Sequence, residues 1–533
     1  KFNRPVEELD NLVRNKEYQY FTDTVDDEFK AAFDKKAEIY FKIREKFPQI
    51  KTVKQYCELY LSGDVLQLAC IIALCRDILF ESHHLDILRY YGAPGFSWDA
   101  FLLYLHDHEP GIKPWIFKED EMNLVCFFMK AIRGGYSGIM ERYAKANNHF
   151  MRIEFDPNKP ECFIIYLDAN NLYGWSMSQK LPYSDFRELT KEELEMLNGL
   201  NDEGLIAFLE TLDEHDEGMY FEVKLKYPEE LHDKHNLYPL APERRPVKKE
   251  EVSYFTKELN EKLKVKVDTK TPMLLQTLED KDHYFVYWKN LLFYLKHGLK
   301  VETIYSGVFF KEYPIMKGYI ELNTMYRNKP DATELAKILY KLLNNSIYGK
   351  TFENPMKYAI LQMLSTATAY MRAAAKPGFD GTVYVQDDFA MAKMLYETVK
   401  YEKPLYLGAT ITELAKLHMF EFYYDVLQDY FTGDKKCELL FTDTDSMILR
   451  VTTHDIYEDI AKINASEKYG CPIDVSSFDP KIVEKYKIRR DNDKVIGAFK
   501  SETGSDQIAE FVGLRAKMYS YTIYGDEGTK HMR

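Results

Sequence analysis

Phe441-Thr442-Asp443-Thr444-Asp445-Ser446 sits between two apolar runs, Glu438 to Phe441 and Met447 to Val451. Apolar flanks around two acids spaced two apart predict a β-hairpin whose tip carries both carboxylates on one face, because strand side chains repeat every second residue. Such a pair attracts a hard cation, and magnesium in particular accepts few protein carboxylates and completes its octahedral shell with phosphate oxygens. An ordinary solvated turn is the competing reading, since Asp and Ser bond locally to turn backbone. A calcium loop does not fit: it needs Gly at the sixth position and Glu at the twelfth, and counting from Asp443 these are Ile448 and His454.

The rest of the chain decides between these readings. With 533 residues, 46% of them apolar, it can bury large cores, and its length predicts several domains or subdomains. No uninterrupted apolar run is long enough to span a bilayer, and the opening Lys1-Phe2-Asn3-Arg4 has neither an initiator Met nor a signal-peptide pattern, which suggests a fragment. Seven cysteines (57, 70, 75, 126, 162, 437 and 471) are scattered, mostly within apolar runs, with no C-x-x-C pair, as expected for reduced buried thiols of an intracellular protein. The 71 basic and 85 acidic residues leave a charge of −14, which argues against a protein coated in nucleic acid but not against a local groove. The basic clusters at Arg244-Arg245 with Lys248-Lys249, Lys262 to Lys270 and Lys481 to Arg490 each include or adjoin acids and read as solvated mixed-charge faces.

Changes of pattern mark the organisation. Residues 26 to 130 read as mostly helical, with an apolar stretch from Val65 to Phe80 and a Gly-Pro turn at 92 to 95. Cys162 to Leu167 is a buried-strand run ending at Asp168, and residues 219 to 227 alternate as a strand. Pro239, Pro242 and Pro246 lead into a mixed insert ending near Phe310. Ala332 to Gly349 is the clearest helix: Leu335, Ile338, Leu339, Leu342, Leu343 and Ile347 form an apolar stripe, Lys337, Lys341, Asn345 and Tyr348 line another face, and Gly349 is placed as a C-cap. Solvation explains the two lysines as well as a polyphosphate would.

Three blocks then stand in order: a strand ending at Asp168, a lysine-bearing helix closing in Asn345-Ser346-Ile347-Tyr348-Gly349, and the Asp443/Asp445 hairpin. That order resembles family B DNA polymerases. Their first palm motif, D-x-x-S-L-Y-P, is similar to Asp168-Ala169-Asn170-Asn171-Leu172-Tyr173-Gly174; their K-x-x-x-N-S-x-Y-G motif is matched from Lys341 to Gly349; and Y-x-D-T-D-S is matched from 441 to 446 apart from Phe441. Lys517-Met518-Tyr519 resembles their K-x-Y motif, and Arg133-Gly134-Gly135-Tyr136 the Gly-rich link between exonuclease and polymerase domains. Asn170 to Trp175, Tyr227 to Glu243, Lys341 to Pro355 and Gly513 to Tyr521 most resemble the protein-primed group, closest to polymerases of Polinton/Maverick transposons and related DNA viruses. Asn171, Gly174 and Phe441 depart from the family's Ser, Pro and Tyr.

The resemblance implies an α+β right-hand polymerase with palm, fingers and partial thumb, joined to the C-terminal remainder of a 3′-5′ exonuclease domain. Expected divisions are 1–130 exonuclease-like, 131–244 palm, 245–312 and 353–405 the two insertions of protein-primed enzymes, 313–352 fingers, and 406–533 palm with the start of a thumb. Tyr60 and Asp64 resemble the third exonuclease motif. The first two are expected upstream, because the Asp26-Asp27-Glu28 run is too close to Asp64 and reads as a helix opening, so proofreading is expected to be absent or incomplete. Asp168 and Asp445 are implied as bridging ligands of two Mg2+ ions, with Mn2+ as an alternative, the Ala169 carbonyl as a further ligand and Asp443 as a supporting acid. Lys341, Lys337 and Lys329 are implied to hold the incoming triphosphate, Leu172 and Tyr173 to line its sugar with Tyr173 as the gate, and Asn345 and Tyr348 to pack at the nascent pair. Gly134, Gly135, Tyr136, Ser346, Gly349, Ser446, Lys517 and Tyr519 are implied to contact DNA. The implied partners are primer-template DNA, deoxynucleotides and a terminal priming protein, for a monomer acting inside the cell without a membrane. An RNA-templated polymerase and a catalytically silent DNA-binding remnant are the alternatives.

Overall fold

The computed structural model describes residues 4–22, 25, 27–266, 268–355, 358–396, 398–525 and 530–532. Two compact units emerge: Lys1–Tyr91 with Thr333–Leu339, and Gly92–Ala332 with Tyr340–Arg533. The fold class is α+β, as the sequence implied. None of the described helices is long and apolar enough to cross a membrane.

The first unit is helical. Its longest element, α1 (Val53–His83), opens with a capping box in which Thr52 accepts from the Gln55 backbone and Gln55 returns the bond. The apolar stretch read at 65 to 80 lies on this helix, and Val65, Leu66, Leu68, Ile71, Ile72, Leu74 and Phe80 are all exposed. Tyr60 and Asp64 are exposed on it too. A helix also begins at Asp27, where the acidic run was expected to open one; Asp26 lies outside the described residues.

The second unit is organised by a ten-stranded sheet. In chain order its strands are β1 (Ser137–Ile139), β2 (Tyr143–Lys145), β3 (Cys162–Ala169), β4 (Lys436–Asp443), β5 (Ser446–Thr452), β6 (Ile473–Asp474), β7 (Phe499–Ser501), β8 (Ile508–Arg515), β9 (Met518–Tyr524) and β10 (Lys530–Met532). The path is β1-β4-β5-β3-β8-β9-β10, with β7 also on β3, β6 on β7 and β2 on β8. One face buries Ile164, Phe441, Ile448, Phe511 and Tyr521 in a common core. The helix α4 (Leu405–Glu421), most of whose residues are buried, packs against the short helix α2 (Leu172–Met177). A four-stranded sheet contains Leu181–Glu188, Lys300–Tyr313, Glu217–Lys226 and Lys281–Tyr287, and a separate three-stranded sheet lies wholly within residues 359–395.

Several local expectations are corrected. Gly92 and Pro94 start a helix at Ala93 rather than making a free turn, because Pro is pre-set for the first helical turn. The helix α3 spans Glu334–Thr351 and runs through Gly349, so Gly349 is not its C-cap. Its buried stripe is Ala336, Leu339, Tyr340, Leu343, Asn344 and Ile347, while Ile338 and Leu342 are exposed. The helix is rotated from the purely apolar stripe because Asn344 finds a buried partner, accepting from Asn323 Nδ2 at 2.8 Å, and the Tyr340 ring stacks on Tyr326. Cys57, Cys70 and Cys126 are exposed, whereas Cys75, Cys437 and Cys471 are buried; all seven thiols are free.

Candidate active site

The hairpin forms, with Asp443 at the end of β4 paired to Ser446 and only Thr444 and Asp445 between them, so Asp445 stands in the turn and not two positions along a strand from Asp443. The Asp445 N–H donates to the Asp443 carbonyl at 2.6 Å, closing a three-residue turn that puts Thr444 at φ 59°. Positive φ is uncommon for a β-branched residue, and such a turn persists only where its surroundings over-determine it. Here they do. The Thr444 N–H donates to the Tyr136 carbonyl at 2.8 Å, and the Ala169 N–H donates to the Asp445 carbonyl at 2.7 Å, tying the tip to the end of β3. Gly135 has no room for a side chain: a Cβ there would lie 2.5 Å from the Thr444 methyl. The Gly134-Gly135-Tyr136 stretch is therefore a cradle for the acid turn.

Beneath the cradle lies a buried charge cluster that no sequence pattern announced. Glu413 is fully buried between Arg133, 3.3 Å away, and Lys416, 3.1 Å away, and Lys416 also donates to the Arg133 carbonyl. Burial alone would raise the Glu413 carboxyl, but the two cations more than offset it and hold it ionised. The cluster fixes the residues that lead into Gly134.

The register brings the acids together. Ser446 stands opposite Asp168 on the neighbouring strand, and Ala169 follows it directly. Burial pushes the Asp168 carboxyl up to about 7, helped by the charges of Asp445 and Glu502, while Lys341 pulls it down. Asp445 is raised by burial as well, with Asp443 and Glu502 adding to it. Asp443 receives Lys517 Nζ on one oxygen at 3.0 Å, and its other oxygen is buried without a hydrogen-bond partner. Crowded, desolvated carboxylates with an orphaned oxygen form a donor set that suits a hard divalent cation. Glu502 was not identified from sequence. It follows β7, which pairs with β3, and nothing local in the chain signals that pairing.

Lys341 and the Tyr173–Tyr348 pair stand near the acids. Asn171 precedes α2 in the left-handed region at φ 47°, which Asn tolerates, and its amide fills the space a side chain on Gly174 would need. The two departures from the family motif are thus one coupled feature. Leu172 is buried. Tyr173 stacks on Tyr348 with ring centroids 4.1 Å apart and planes 14° from parallel, and it feels the Asp445 charge. Lys341 and Asn345 are exposed, Gly349 faces open space, and the Ser346 hydroxyl bonds back to the Leu342 carbonyl. Lys329 lies over the Tyr326 ring, and Lys337, in the segment grouped with the first unit, pairs with Glu334 at 2.8 Å. Of the three lysines, Lys341 is the one whose charge reaches Asp168.

Phe441 also finds its explanation. Its ring is fully buried and packs on Tyr519, whose hydroxyl meets that of Tyr166 at 2.9 Å. A phenol at 441 would bring a third hydroxyl beside this bonded pair, where it would need its own partner.

A family model described as DNA polymerase type B, organellar and viral, matches residues 8–427. Among solved structures, the chain is similar to Phi29 DNA polymerase complexed with primer-template DNA, at 16% identity over 85% of this chain with a TM-score of 0.45. It is similar to the ternary complex of the same polymerase with primer-template DNA and incoming nucleotides, at 18% identity over 83% of this chain with a TM-score of 0.44. A third likeness, to that polymerase complexed with single-stranded DNA, has 18% identity over 85% of this chain and a TM-score of 0.45. The chain spans 58%, 57% and 58% of these three chains respectively. No curated protein matches significantly.

Proposed function

Because the chain belongs to the type B DNA polymerases of organelles and viruses, we propose that it extends a primer 3′-hydroxyl with deoxynucleotides on a DNA template, in protein-primed replication of a mobile element or DNA virus. The observation that carries this is the convergence of Asp168, Asp445, Lys341 and the Tyr173–Tyr348 stack from three distant stretches of sequence. Two divalent cations, Mg2+ or Mn2+, would be held by Asp168 and Asp445 with the Ala169 carbonyl and Asp443 in support, and when bound supply charge neutralisation on the attacking and leaving oxygens.

This chain's own residues do the rest. Lys341 offsets the negative charge that develops on the departing pyrophosphate, with Lys329 in support. The Tyr173 ring, held flat by Tyr348, underlies the deoxyribose beside Leu172 and leaves no space for a 2′-hydroxyl. Asn345 packs at the nascent pair. Lys517 and Tyr519, with Ser446, Ser346, Gly349 and the Gly134-Gly135-Tyr136 cradle, line the primer-template path by phosphate contact, which positions DNA without reading its sequence. On this reading residues 1–130 derive from an exonuclease domain carrying Tyr60 and Asp64, 131–244 and 406–533 form the palm, 313–352 form the fingers, and the inserts at 245–312 and 353–405 engage a terminal priming protein and the DNA.

Extension of a labelled primer with Mg2+ tests the reading. A DNA template with deoxynucleotides is expected to give product, and Asp445→Asn to lower the rate by at least about 10³-fold, given how much of the barrier such electrostatic stabilisation carries. A folded wild-type chain that extends on an RNA template alone, or on neither template, overturns it.

A further inference from the structure

The strands that carry the acids at one end carry a different cluster at the other. Asp168 pairs with Ser446 at the acid end, whereas Cys162 pairs with Thr452 at the far end. Glu161 precedes β3 and lies roughly 23 Å along the strand from Asp168 at about 3.3 Å per residue. His149 Nδ1 meets Glu161 Oε2 at 2.7 Å, and His454 Nδ1 meets Glu161 Oε1 at 2.8 Å. His149 Nε2 stands 4.0 Å from Asp455 Oδ2. One ligand atom from each of His149, Glu161 and His454 lies within 4.8 Å of the other two.

Independent elements hold these groups. The bridge between Asn147 and Cys162 fixes the chain just before His149, and the His149 N–H itself donates to Glu161. The Thr453 N–H donates to the Glu161 carbonyl, bringing His454 to the same corner. Asp455 caps the helix Ile456–Ala465 and accepts from the Tyr486 hydroxyl at 2.6 Å. Glu161 is 17% exposed and His454 83%, so the corner is rigid at its base and open to solvent at its rim.

As a plain ion pair the His454–Glu161 contact contributes little, since His454 is solvated. As a donor set it is specific: two imidazoles and a carboxylate suit borderline cations, and three protein ligands leave a fourth tetrahedral position for water. We propose that His149, Glu161 and His454, with Asp455 at the rim, bind one transition-metal cation of the zinc type, separate from the acid pair. Metal–ligand bonds of about 2.0–2.1 Å around a tetrahedral centre set donors about 3.3–3.4 Å apart, so both His–Glu contacts open by about half an ångström, a change that side-chain rotation of His149 and the exposed His454 supplies. The ion would clamp the segment before β3 to the one after β5 and stabilise the sheet at the end remote from the acids.

The test uses the full chain carrying Asp168→Asn and Asp445→Asn, so that the acid pair does not contribute. Zn2+ titration is expected to show one strong site per chain, Co2+ to give visible absorption bands of a tetrahedral centre, and Zn2+ but not Mg2+ to raise Tm. His149→Ala with His454→Ala is expected to weaken zinc binding by at least about 100-fold and to abolish the Tm rise. His454→Gln, at an exposed position, is expected to weaken it by at least about tenfold. Absence of a strong site in the parent, leaving a hydrogen-bonded ion pair only, overturns the proposal, as does unchanged zinc binding in His454→Gln.

Discussion

The two ends of the β3–β5 ladder solve opposite electrostatic problems. At the Asp168 end, burial and neighbouring acids drive the carboxyl up to about 7, and Lys341 only partly offsets them. At the Glu161 end, burial also acts against ionisation, but hydrogen bonds from His149 and His454 overcome it and hold the carboxyl below its usual range. One pair of strands thus carries an under-compensated acid cluster and a compensated one. The first is poised for a cation and for chemistry, at a cost to the fold; the second contributes to the fold as it stands.

The largest expected break in this contrast comes from the cradle. Gly135→Ala forces Thr444 and the acid turn to shift, and we expect primer extension to fall by about 10²-fold, because misplacement of reacting groups by about 1 Å carries that cost. The double exchange of His149 and His454 should leave the extension rate in Mg2+ unchanged. Equal loss of extension in both variants would erase the functional distinction between the ends.

A smaller effect sharpens the role of the tyrosine stack. Tyr173→Val removes the ring held against Tyr348 and is expected to raise ribonucleotide incorporation relative to deoxyribonucleotide on the order of tenfold. Competitive single-nucleotide insertion measures this ratio, and an unchanged ratio removes the gate assignment.

The smallest effect is thermodynamic and opposite in sign at the two ends. The folded pKa of Asp168 lies above its unfolded value, so its carboxyl costs stability as pH rises from about 4 through about 7. In metal-free buffer at pH 8, Asp168→Asn is expected to raise Tm by about 1–3 °C, with no gain near pH 3. Glu161 has a folded pKa below its unfolded value, so its contribution is present above the unfolded value and is lost as pH falls through the folded one. Glu161→Gln is therefore expected to lower Tm at pH 8, also by about 1–3 °C. Scanning calorimetry at both pH values reads both signs, and shifts in the same direction would collapse the contrast.

Part of this site was legible before any fold was known. Asp168, Asp445 and Lys341 are chemically conspicuous; an apolar run placed Asp168 at the end of a strand, and apolar flanks placed Asp445 at a hairpin tip. Glu502 and the Arg133–Glu413–Lys416 cluster were not legible, because each depends on pairings between segments far apart in sequence. The stripe on α3 was misread for a related reason. An apolar count cannot tell that Asn344 will be buried against Asn323 while Ile338 and Leu342 face outward. Tyr60 and Asp64 illustrate the limit of motif reading: they lie on an exposed helix in the first unit, and their chemistry depends on neighbours that a motif does not carry.

By itself the sequence determined the acid hairpin, the lysine-bearing helix and the family, because these rest on short-range periodicity and on residue types that few other roles require. Tertiary structure alone decided the strained Thr444 turn, the coupling of Asn171 to Gly174, the rise of Asp168 to about 7 and the histidine corner at the far end of its strand. The physical reason is the same in each case. Desolvation and charge coupling act through space, and strand pairing chooses which distant residues share that space.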